Sequence, residues 1–481
     1  MTTSPVPYWI AGRPATGDDV LDVHSPHDGS LAGRTTTATA TDVERAVAAA
    51  DRVRAEFAAT PASVRAGALD HVSRRITERS EELARLITAE SGKPLKWARL
   101  EVTRAASTFR WGAEEARRWS GTLQRLDTDP AASGRIALVR RVPRGPVLGI
   151  APFNFPLNLV AHKIAPALAV GAPIVLKPAP ATPLVALLLG ELLAETDLPA
   201  GSWSVLPVPN EVAARLVADP RLPVVSFTGS VPVGWSIRES VPRKHVTLEL
   251  GGNAAVVVGP DQGDEKSLSW AAQRIATFAM YQAGQSCISV QRVFAHRDVA
   301  EALTERVVDA VRMLTTGDPT DDAVDVGPLI NEDAARRVET WVQEAVAAGA
   351  RVLTGGSRDG AGYAPTVLTD VPPTAKVSCE EVFGPVVVLE TVDSVDEAFE
   401  RVNDSRFGLQ AGVFTRDLQV AFRAAQVLEV GGVIIGDVPS FRADQMPYGG
   451  VKDSGVGREG VHAAMEDLTV ERVLVLTGID I

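Results

Sequence analysis

Residues 145–179, GPVLGIAPFNFPLNLVAHKIAPALAVGAPIVLKPA, contain two short apolar runs separated by a longer apolar stretch that ends at a glycine. The runs VLGIA (147–151) and APIVLK (172–177) are typical of buried strands, and the segment between them has the length of a helix. A strand, a helix and a second strand in this order predict a parallel sheet covered by helices. This stretch therefore indicates an α/β fold.

The same alternation continues on the C-terminal side and is repeated in residues 254–440, which predicts a second α/β domain. The N-terminal 120 residues are mostly helical in pattern, and Thr41 and Asp42 suit the start of the first helix. We expect two doubly wound α/β domains that pack directly against each other. The predicted boundaries are 1–120 with 144–250 for the first domain, 251–440 for the second, and 121–143 with 441–481 for a hairpin and a C-terminal tail.

Residues 121–143 alternate around a Pro/Ala/Ser/Gly turn, which is typical of a β-hairpin. The tail after residue 466, DLTVERVLVLTGIDI, alternates like an edge strand. An exposed strand edge invites pairing with another chain. We expect the tail to pair with the hairpin of a partner subunit, in a homodimer or homotetramer.

The net charge of −12 over 481 residues argues against a nucleic-acid partner, because a phosphate backbone needs a basic surface. The start lacks the pattern of a secretory signal, and no apolar run is long enough to span a bilayer, so we expect a cytoplasmic protein without a membrane partner. The two cysteines, Cys287 and Cys379, are far apart in sequence. Neither they nor the histidines show the spacing of a metal site.

Three short segments contain the residue types that covalent carbonyl chemistry requires. Cys287 follows the small, polar residues AGQS (283–286), which let a substrate approach the sulfur. Glu249 ends an apolar strand beside two glycines, and Asn154 lies between two prolines in PFNFP. The alternatives are a buried cysteine acting as a small hydrophobe, a surface acid at a strand end and an asparagine that caps a loop.

Seven motifs follow one another along the chain in the order and with the spacing of one family. They are PFNFP at 152, KPAPATP at 177, FTGSVPVG at 227, ELGG at 249, AGQSC at 283, EVFGP at 381 and GGVKDSGVGRE at 449. With these motifs the chain resembles the aldehyde dehydrogenases, which oxidise aldehydes to acids with NAD or NADP. The wording of the motifs is most similar to the branch of lactaldehyde and phosphonate-aldehyde dehydrogenases.

The resemblance implies a catalytic role for each of the three residues. Cys287 would attack the aldehyde carbon, Asn154 and the N–H of Cys287 would stabilise the resulting oxyanion, and Glu249 would activate water to hydrolyse the thioester. Lys163 and Glu459, with Arg458, match positions that steer or relay the proton, although Lys163 could equally be an ordinary lysine on a helix surface.

The resemblance also implies a dinucleotide site without a G-x-G-x-x-G motif. The N–H groups of Gly229 and Ser230 would meet the pyrophosphate at a helix start. The remaining cofactor residues would be Lys177, Phe153, Leu250, Glu381 and Phe383. NAD-preferring relatives often have a glutamate three residues after the lysine, whereas this chain has Pro180. We expect NAD, with NADP as a second possibility.

For the substrate, the resemblance places Arg104 on a helix at the entrance and Arg442 on a loop over the site. Two guanidinium groups would bind a carboxylate, phosphonate or phosphate, which predicts a small polar or anionic aldehyde. The alternative is that both arginines pair with acids such as Glu101 or Asp444. The nearest rival function is a CoA-acylating semialdehyde dehydrogenase, against which Glu249 favours water as the acceptor. A catalytically silent member of the fold is a further alternative.

Overall fold

The computed structural model describes residues 4–478. The N-terminal part consists of short antiparallel strands and a layer of four helices. These elements are β1 (Tyr8–Ile10), β2 (Arg13–Ala15), β3 (Val20–His24), β4 (Leu31–Thr36), α1 (Ala40–Ala59), α2 (Ala62–Glu78), α3 (Ser80–Ser91) and α4 (Leu95–Arg118). None of the helices in residues 4–478 combines the length and hydrophobicity needed to cross a bilayer.

Helix α1 begins at Ala40, one residue before the predicted start at Thr41. The helix is capped by Thr39, whose hydroxyl accepts a hydrogen bond from the N–H of Asp42, while Asp42 accepts one from the N–H of Thr39. This reciprocal capping box satisfies two backbone donors at once, which Thr41 inside the helix could not do.

The next part of the chain contains a hairpin and then the five parallel strands of the first large sheet, with helices between them. In chain order the elements are β5 (Thr122–Arg125), β6 (Arg135–Pro143), β7 (Val147–Ile150), α5 (Asn158–Val170), β8 (Ile174–Lys177), α6 (Leu184–Ala194), β9 (Trp203–Val205), α7 (Asn210–Ala218), β10 (Val224–Thr228), α8 (Val231–Ser240) and β11 (His245–Glu249). The order β9-β8-β7-β10-β11 is fully parallel, β1 and β2 extend it antiparallel beside β9, and β5 and β6 form the predicted hairpin outside it.

The second large sheet has seven strands, in the order β14-β17-β18-β13-β12-β20-β21, and all but β14 are parallel. The elements are β12 (Ala255–Val258), α9 (Glu265–Met280), β13 (Arg292–His296), α10 (Arg297–Arg312), α11 (Glu332–Ala347), β14 (Arg351–Thr354), β15 (Arg358–Asp359), β16 (Gly362–Tyr363), β17 (Thr366–Thr369), α12 (Lys376–Cys379), β18 (Val386–Val392), α13 (Val395–Asn403), β19 (Phe407–Gly408), β20 (Gln410–Phe414), α14 (Leu418–Val427) and β21 (Gly432–Ile435). Each sheet has its own apolar core, and the α/β prediction is confirmed.

The C-terminal elements return to the first sheet and to the hairpin. They are β22 (Val451–Lys452), β23 (Gly455–Val456), α15 (Val461–Asp467) and β24 (Thr469–Thr477). β23 pairs antiparallel with β11, whereas β24 pairs with β6 from Thr469↔Pro143 to Thr477↔Arg135. The expectation that the tail pairs with a partner's hairpin is therefore wrong for this edge, because the turn after α15 brings the strand onto the hairpin of its own chain.

Candidate active site

Polar residues stand at the carboxyl ends of three neighbouring strands in the first sheet. Asn154 follows β7, Thr228 ends β10 and Glu249 ends β11, with Thr228 and Glu249 paired in the ladder. The strand order changes direction between β7 and β10. Open α/β sheets bind ligands at such a switch point, beyond the carboxyl ends of the strands.

The loop between α9 and β13 brings Cys287 to this crevice from the amino end of the second sheet. The amide Nδ2 of Asn154 donates a hydrogen bond of 2.9 Å to the carbonyl oxygen of Gln285, two residues before the cysteine. The Oδ1 of Asn154 is buried and has no partner among the described residues. Asn154 and Cys287 are thus held together across the two sheets.

The backbone before Cys287 has an unusual conformation. Gln282 and Ala283 have φ values of 55° and 52°, and Gly284 follows with a φ of 68°. Left-handed backbone costs about 1–3 kcal/mol at a non-glycine residue, so the surrounding contacts must hold this turn in place. Gly284 is required sterically as well, since a Cβ there would lie 2.0 Å from the carbonyl oxygen of Gly384.

The thiol of Cys287 is half-buried and contacts a tyrosine hydroxyl. Its Sγ lies 2.9 Å from the Oη of Tyr448. Burial raises the pKa of Cys287 to about 12, while the hydrogen bond between Cys287 and Tyr448 acts in the opposite direction. The resting cysteine is therefore a protonated thiol.

Glu249 is buried, and neither of its carboxylate oxygens has a partner among the described residues. Burial raises its pKa well above the usual value, and the negative charge of Glu459 adds to the increase. A carboxyl group whose pKa is raised in this way is a stronger base when it ionises. The alternative of a surface acid is excluded by its position.

Lys163 and Glu459 form a buried polar network beside Glu249. The Nζ of Lys163 donates hydrogen bonds to Ser226 (3.0 Å), Thr228 (2.8 Å) and Glu459 (3.3 Å), so the alternative of a surface lysine is wrong. Arg442 donates to the other oxygen of Glu459 at 3.1 Å. Burial opposes the charge on Glu459, but the positive charges of Lys163 and Arg442 lower its pKa to about 2.

The two candidate substrate arginines both have acidic partners. Arg104 on α4 donates to Asp444 through its Nη2 at 2.9 Å, as the ion-pair alternative predicts. Arg442 pairs with Glu459 instead of Glu101 or Asp444, and its buried Nε has no partner among the described residues.

The predicted cofactor residues lie along the same crevice. Among the described residues, the ammonium of Lys177 at the end of β8 reaches only the carbonyl oxygen of Pro178, at 3.4 Å, and burial lowers the pKa of Lys177 to about 8. Glu381 accepts a hydrogen bond of 3.1 Å from the N–H of Gly252, and burial raises its pKa to about 7.

Aromatic and aliphatic side chains form an apolar wall of the same crevice. The rings of Phe153 and Phe383 meet edge to face with centroids 5.9 Å apart. Leu250 packs against Gly234 of α8, where a Cβ would lie 2.4 Å from the leucine side chain. At Gly229 the prediction is wrong, because its N–H donates to the carbonyl oxygen of Glu249 at 3.1 Å and extends the ladder between β10 and β11. Of the two residues predicted to face the pyrophosphate, Ser230 lies at the N-terminus of α8.

A sequence profile described as "Aldehyde dehydrogenase family" matches residues 13–474. The chain belongs to the aldehyde dehydrogenase family. It is therefore an oxidoreductase that acts on aldehydes and uses NAD or NADP. Within residues 4–478, no group of three or more His, Cys, Asp or Glu side chains is arranged to hold a metal ion.

Relatives of this dehydrogenase match over nearly its whole length. A 3-sulfolactaldehyde dehydrogenase of Priestia aryabhattai is 42% identical over 470 residues, 97% of both proteins. The crystal structure of aldehyde dehydrogenase 21 from Physcomitrella patens, in complex with the reaction product succinate, is 44% identical with a TM-score of 0.97, covering 100% of this chain and 99% of that one. Glyceraldehyde-3-phosphate dehydrogenase GapN from Methanocaldococcus jannaschii, complexed with NADP, is 33% identical with a TM-score of 0.91, covering 96% and 100%.

Sequence reasoning missed Tyr448 in this dehydrogenase. The residue lies in MPYGG (446–450), directly before the glycine motif that supported the family resemblance. A tyrosine between proline and glycine gave no local indication of its contact with Cys287, because the two residues are 161 positions apart. Its position beside that motif was the only signal available.

Proposed function

We propose that this dehydrogenase oxidises a small anionic aldehyde and that Cys287 is its nucleophile. The observation that carries the proposal is the convergence of Cys287, Asn154 and Glu249 with a buried arginine, Arg442, at one switch point. Cysteine, amide and carboxylate provide nucleophile, oxyanion donor and base, and the arginine provides the charge for an anion.

Cys287 attacks the aldehyde carbon after its thiol proton has left, and the carbonyl oxygen becomes negatively charged. Asn154 Nδ2 is the side-chain donor for that oxygen, together with the N–H of Cys287. Removing one such donor typically lowers kcat about 100- to 1,000-fold. NAD(P), when bound, supplies the hydride acceptor that converts the adduct into a thioester.

Glu249 then takes the proton from the water that hydrolyses the thioester. Its unpartnered oxygens are free to contact that water. Lys163 and Glu459 form a polar network beside Glu249, along which the proton taken from water can leave the site. The hydrogen bond between Lys163 and Glu459 supports this relay role. Hydrolysis by water also distinguishes this function from CoA acylation.

The residues along the crevice fit a dinucleotide. Lys177 is a buried ammonium without a counter-ion, which suits ribose hydroxyls, and Glu381 suits the nicotinamide ribose. Phe153, Leu250 and Phe383 supply the apolar wall, and Ser230 starts the helix that faces the pyrophosphate.

We infer a modest preference for NAD over NADP, since Pro180 offers no positive charge to a 2′-phosphate.

The charges of the site favour an anionic substrate. Arg442 and Lys163 both pair with one carboxylate, Glu459, and burial raises the pKa of the neighbouring Glu249, which disfavours a second negative charge there. The Nε of Arg442 is buried without a partner among the described residues, and we propose that it donates to the anionic group of the substrate. The names of the relatives agree, since 3-sulfolactaldehyde and succinate are both anions.

The test compares 3-sulfolactaldehyde with lactaldehyde, which differ by one sulfonate group. We expect a higher kcat/KM for the sulfonate, and we expect Arg442→Ala and Arg104→Ala to reduce that preference about tenfold or more. Cys287→Ala should abolish formation of reduced nicotinamide with both substrates. An unchanged ratio in both arginine variants would refute the substrate assignment, and acyl-CoA formed in the presence of CoA would favour the acylating rival.

We also propose a cytoplasmic homodimer or homotetramer. The unpaired edge of β24 carries exposed apolar residues, and both cysteines are free thiols. In this arrangement residues 1–120 and 144–250 form the dinucleotide domain, residues 251–440 form the domain with the nucleophile, and residues 121–143 and 441–481 supply the hairpin and the tail.

A further inference from the structure

The hydroxyl of Tyr448 is fixed next to the reacting sulfur. Its Oη lies 2.9 Å from the Sγ of Cys287. The backbone of Tyr448 exchanges two hydrogen bonds with Glu459, at 2.9 and 2.7 Å, and the ring packs against Ile288 and Leu409. Neither the backbone nor the ring can move without breaking these contacts, so the hydroxyl stays beside the sulfur.

The direction of the hydrogen bond follows from the chemistry of the pair. Burial raises the pKa of Tyr448 well above its usual value, so the phenol keeps its proton. When Cys287 ionises, its sulfur can only accept. A hydrogen bond to an ionised acceptor is about twice as strong as one between neutral groups.

Arg442 strengthens this donor from the other side of the ring. Its guanidinium lies 3.8 Å from the centroid of the Tyr448 ring. A cation over an aromatic face attracts the π electrons of the ring, which makes the hydroxyl proton more positive. The three residues therefore form a stack that ends at the sulfur.

We propose that Tyr448 is a catalytic residue whose hydroxyl stabilises the Cys287 thiolate before it attacks the aldehyde. The inference rests on the proposed role of Cys287 as the nucleophile. The thiol proton passes to water and leaves the electron pair on sulfur. That pair forms the C–S bond while the π pair of the carbonyl moves to oxygen, so the charge leaves the sulfur and the hydrogen bond from Tyr448 weakens.

The experiment measures alkylation of Cys287 by iodoacetamide in Tyr448→Phe between pH 6 and 10, without cofactor. We expect the variant to react about tenfold more slowly at pH 7.5, with its pH profile displaced to higher pH, because the thiolate has lost one charge-assisted donor. Tyr281→Phe is the matched control, since Tyr281 is partly buried near Cys287 but donates to Ser286 at 2.9 Å. Its pH profile should follow the wild type.

The outcomes distinguish the role of Tyr448 from the proposed role of Cys287 as the nucleophile. A wild-type pH profile in Tyr448→Phe, with Cys287→Ala inactive, would overturn the role of Tyr448 and leave the nucleophile in place. Oxidation of aldehyde by Cys287→Ala would overturn the proposed function itself. Equal displacement in Tyr281→Phe would show a general effect of removing buried hydroxyls and would also overturn the inference.

Discussion

Glu249 shows how burial determines the function of a single carboxyl group. Because its pKa is raised and only its ionised form accepts a proton, the rate of thioester hydrolysis should increase with pH through that pKa. The same raised value makes the ionised form a better base. One environment therefore sets both the strength of the base and the pH range in which it acts.

We expect Glu249→Gln to form about one equivalent of reduced nicotinamide in a burst and then to turn over at least 100-fold more slowly, because attack and hydride transfer do not need the base. Rapid-mixing absorbance at 340 nm measures both phases. Glu301→Gln, on the exposed face of α10, is the control and should behave like the wild type. Loss of the burst together with the turnover would contradict the assignment.

His162 gives a second residue-scale prediction, for stability against acid. Burial lowers its pKa to about 4 from 6.5, so the folded state stays neutral while the unfolded state binds a proton below pH 6.5. The contribution of neutral His162 to the free energy of unfolding should therefore be complete above about pH 6.5. As the pH falls to 4, the free energy of unfolding should decrease by up to about 3 kcal/mol. Asp444, whose pKa is lowered to about 2 by its partners against the effect of burial, stays ionised throughout this range.

Urea unfolding at pH 7.5 and pH 5 measures this difference. His162→Gln should show a smaller decrease between the two pH values than the wild type. His71→Gln, at a partly exposed histidine on α2, should keep the wild-type decrease. Identical decreases in all three proteins would show that another group controls the acid response.

At the scale of elements, helix α5 is held in place by a carboxylate from α4. Glu101 accepts hydrogen bonds from the N–H groups of Leu157 (2.9 Å) and Asn158 (3.1 Å), and it forms a buried ion pair with Lys93. This contact fixes the start of α5, which begins at Asn158, four residues after Asn154, and carries Lys163. It therefore links a structural ion pair to the geometry of the site.

Glu101→Gln should destabilise the protein by about 3–5 kcal/mol, because it leaves the buried charge of Lys93 without a partner. The double variant Lys93→Met/Glu101→Gln should recover part of this loss, since no unpaired charge remains. Chemical denaturation of the two single variants and the double variant gives the coupling energy. Additive losses would show that the two side chains do not interact.

The sequence was informative where a residue's role depends on its own strand. Glu249 ends an apolar strand and Asn154 lies between two prolines, so each could be selected from its own segment. The start of α1 was misjudged because Thr39, Thr41 and Asp42 all suit a helix start, and only the side-chain geometry distinguishes them. Contacts such as Tyr448 with Cys287 join distant segments, and no local pattern encodes them.

At the scale of the whole molecule, the three-stranded sheet of β24, β6 and β5 is where we expect the proposed subunits to meet. β24 pairs on one side with its own chain, and its apolar side chains are exposed, Val473 to 57% and Leu474 to 55%. An open apolar strand edge is a template for pairing. We therefore expect the proposed oligomer to depend on the outer edge of β24.

Val473→Lys should shift the protein toward monomers, because a buried charge at the interface is costly. Light scattering with size-exclusion chromatography measures the mass. Val20→Lys is the control, since Val20 is equally exposed at 57% but lies on β3. A monomeric wild type, or an unchanged oligomer in Val473→Lys, would contradict the proposed assembly.

The pairing of β6 with β24 also has a consequence for biosynthesis. The ribosome releases β6 early and β24 only after both large sheets have been translated, so the hairpin waits with an uncovered edge during most of synthesis. Nascent chains on neighbouring ribosomes would present the same uncovered edge to each other.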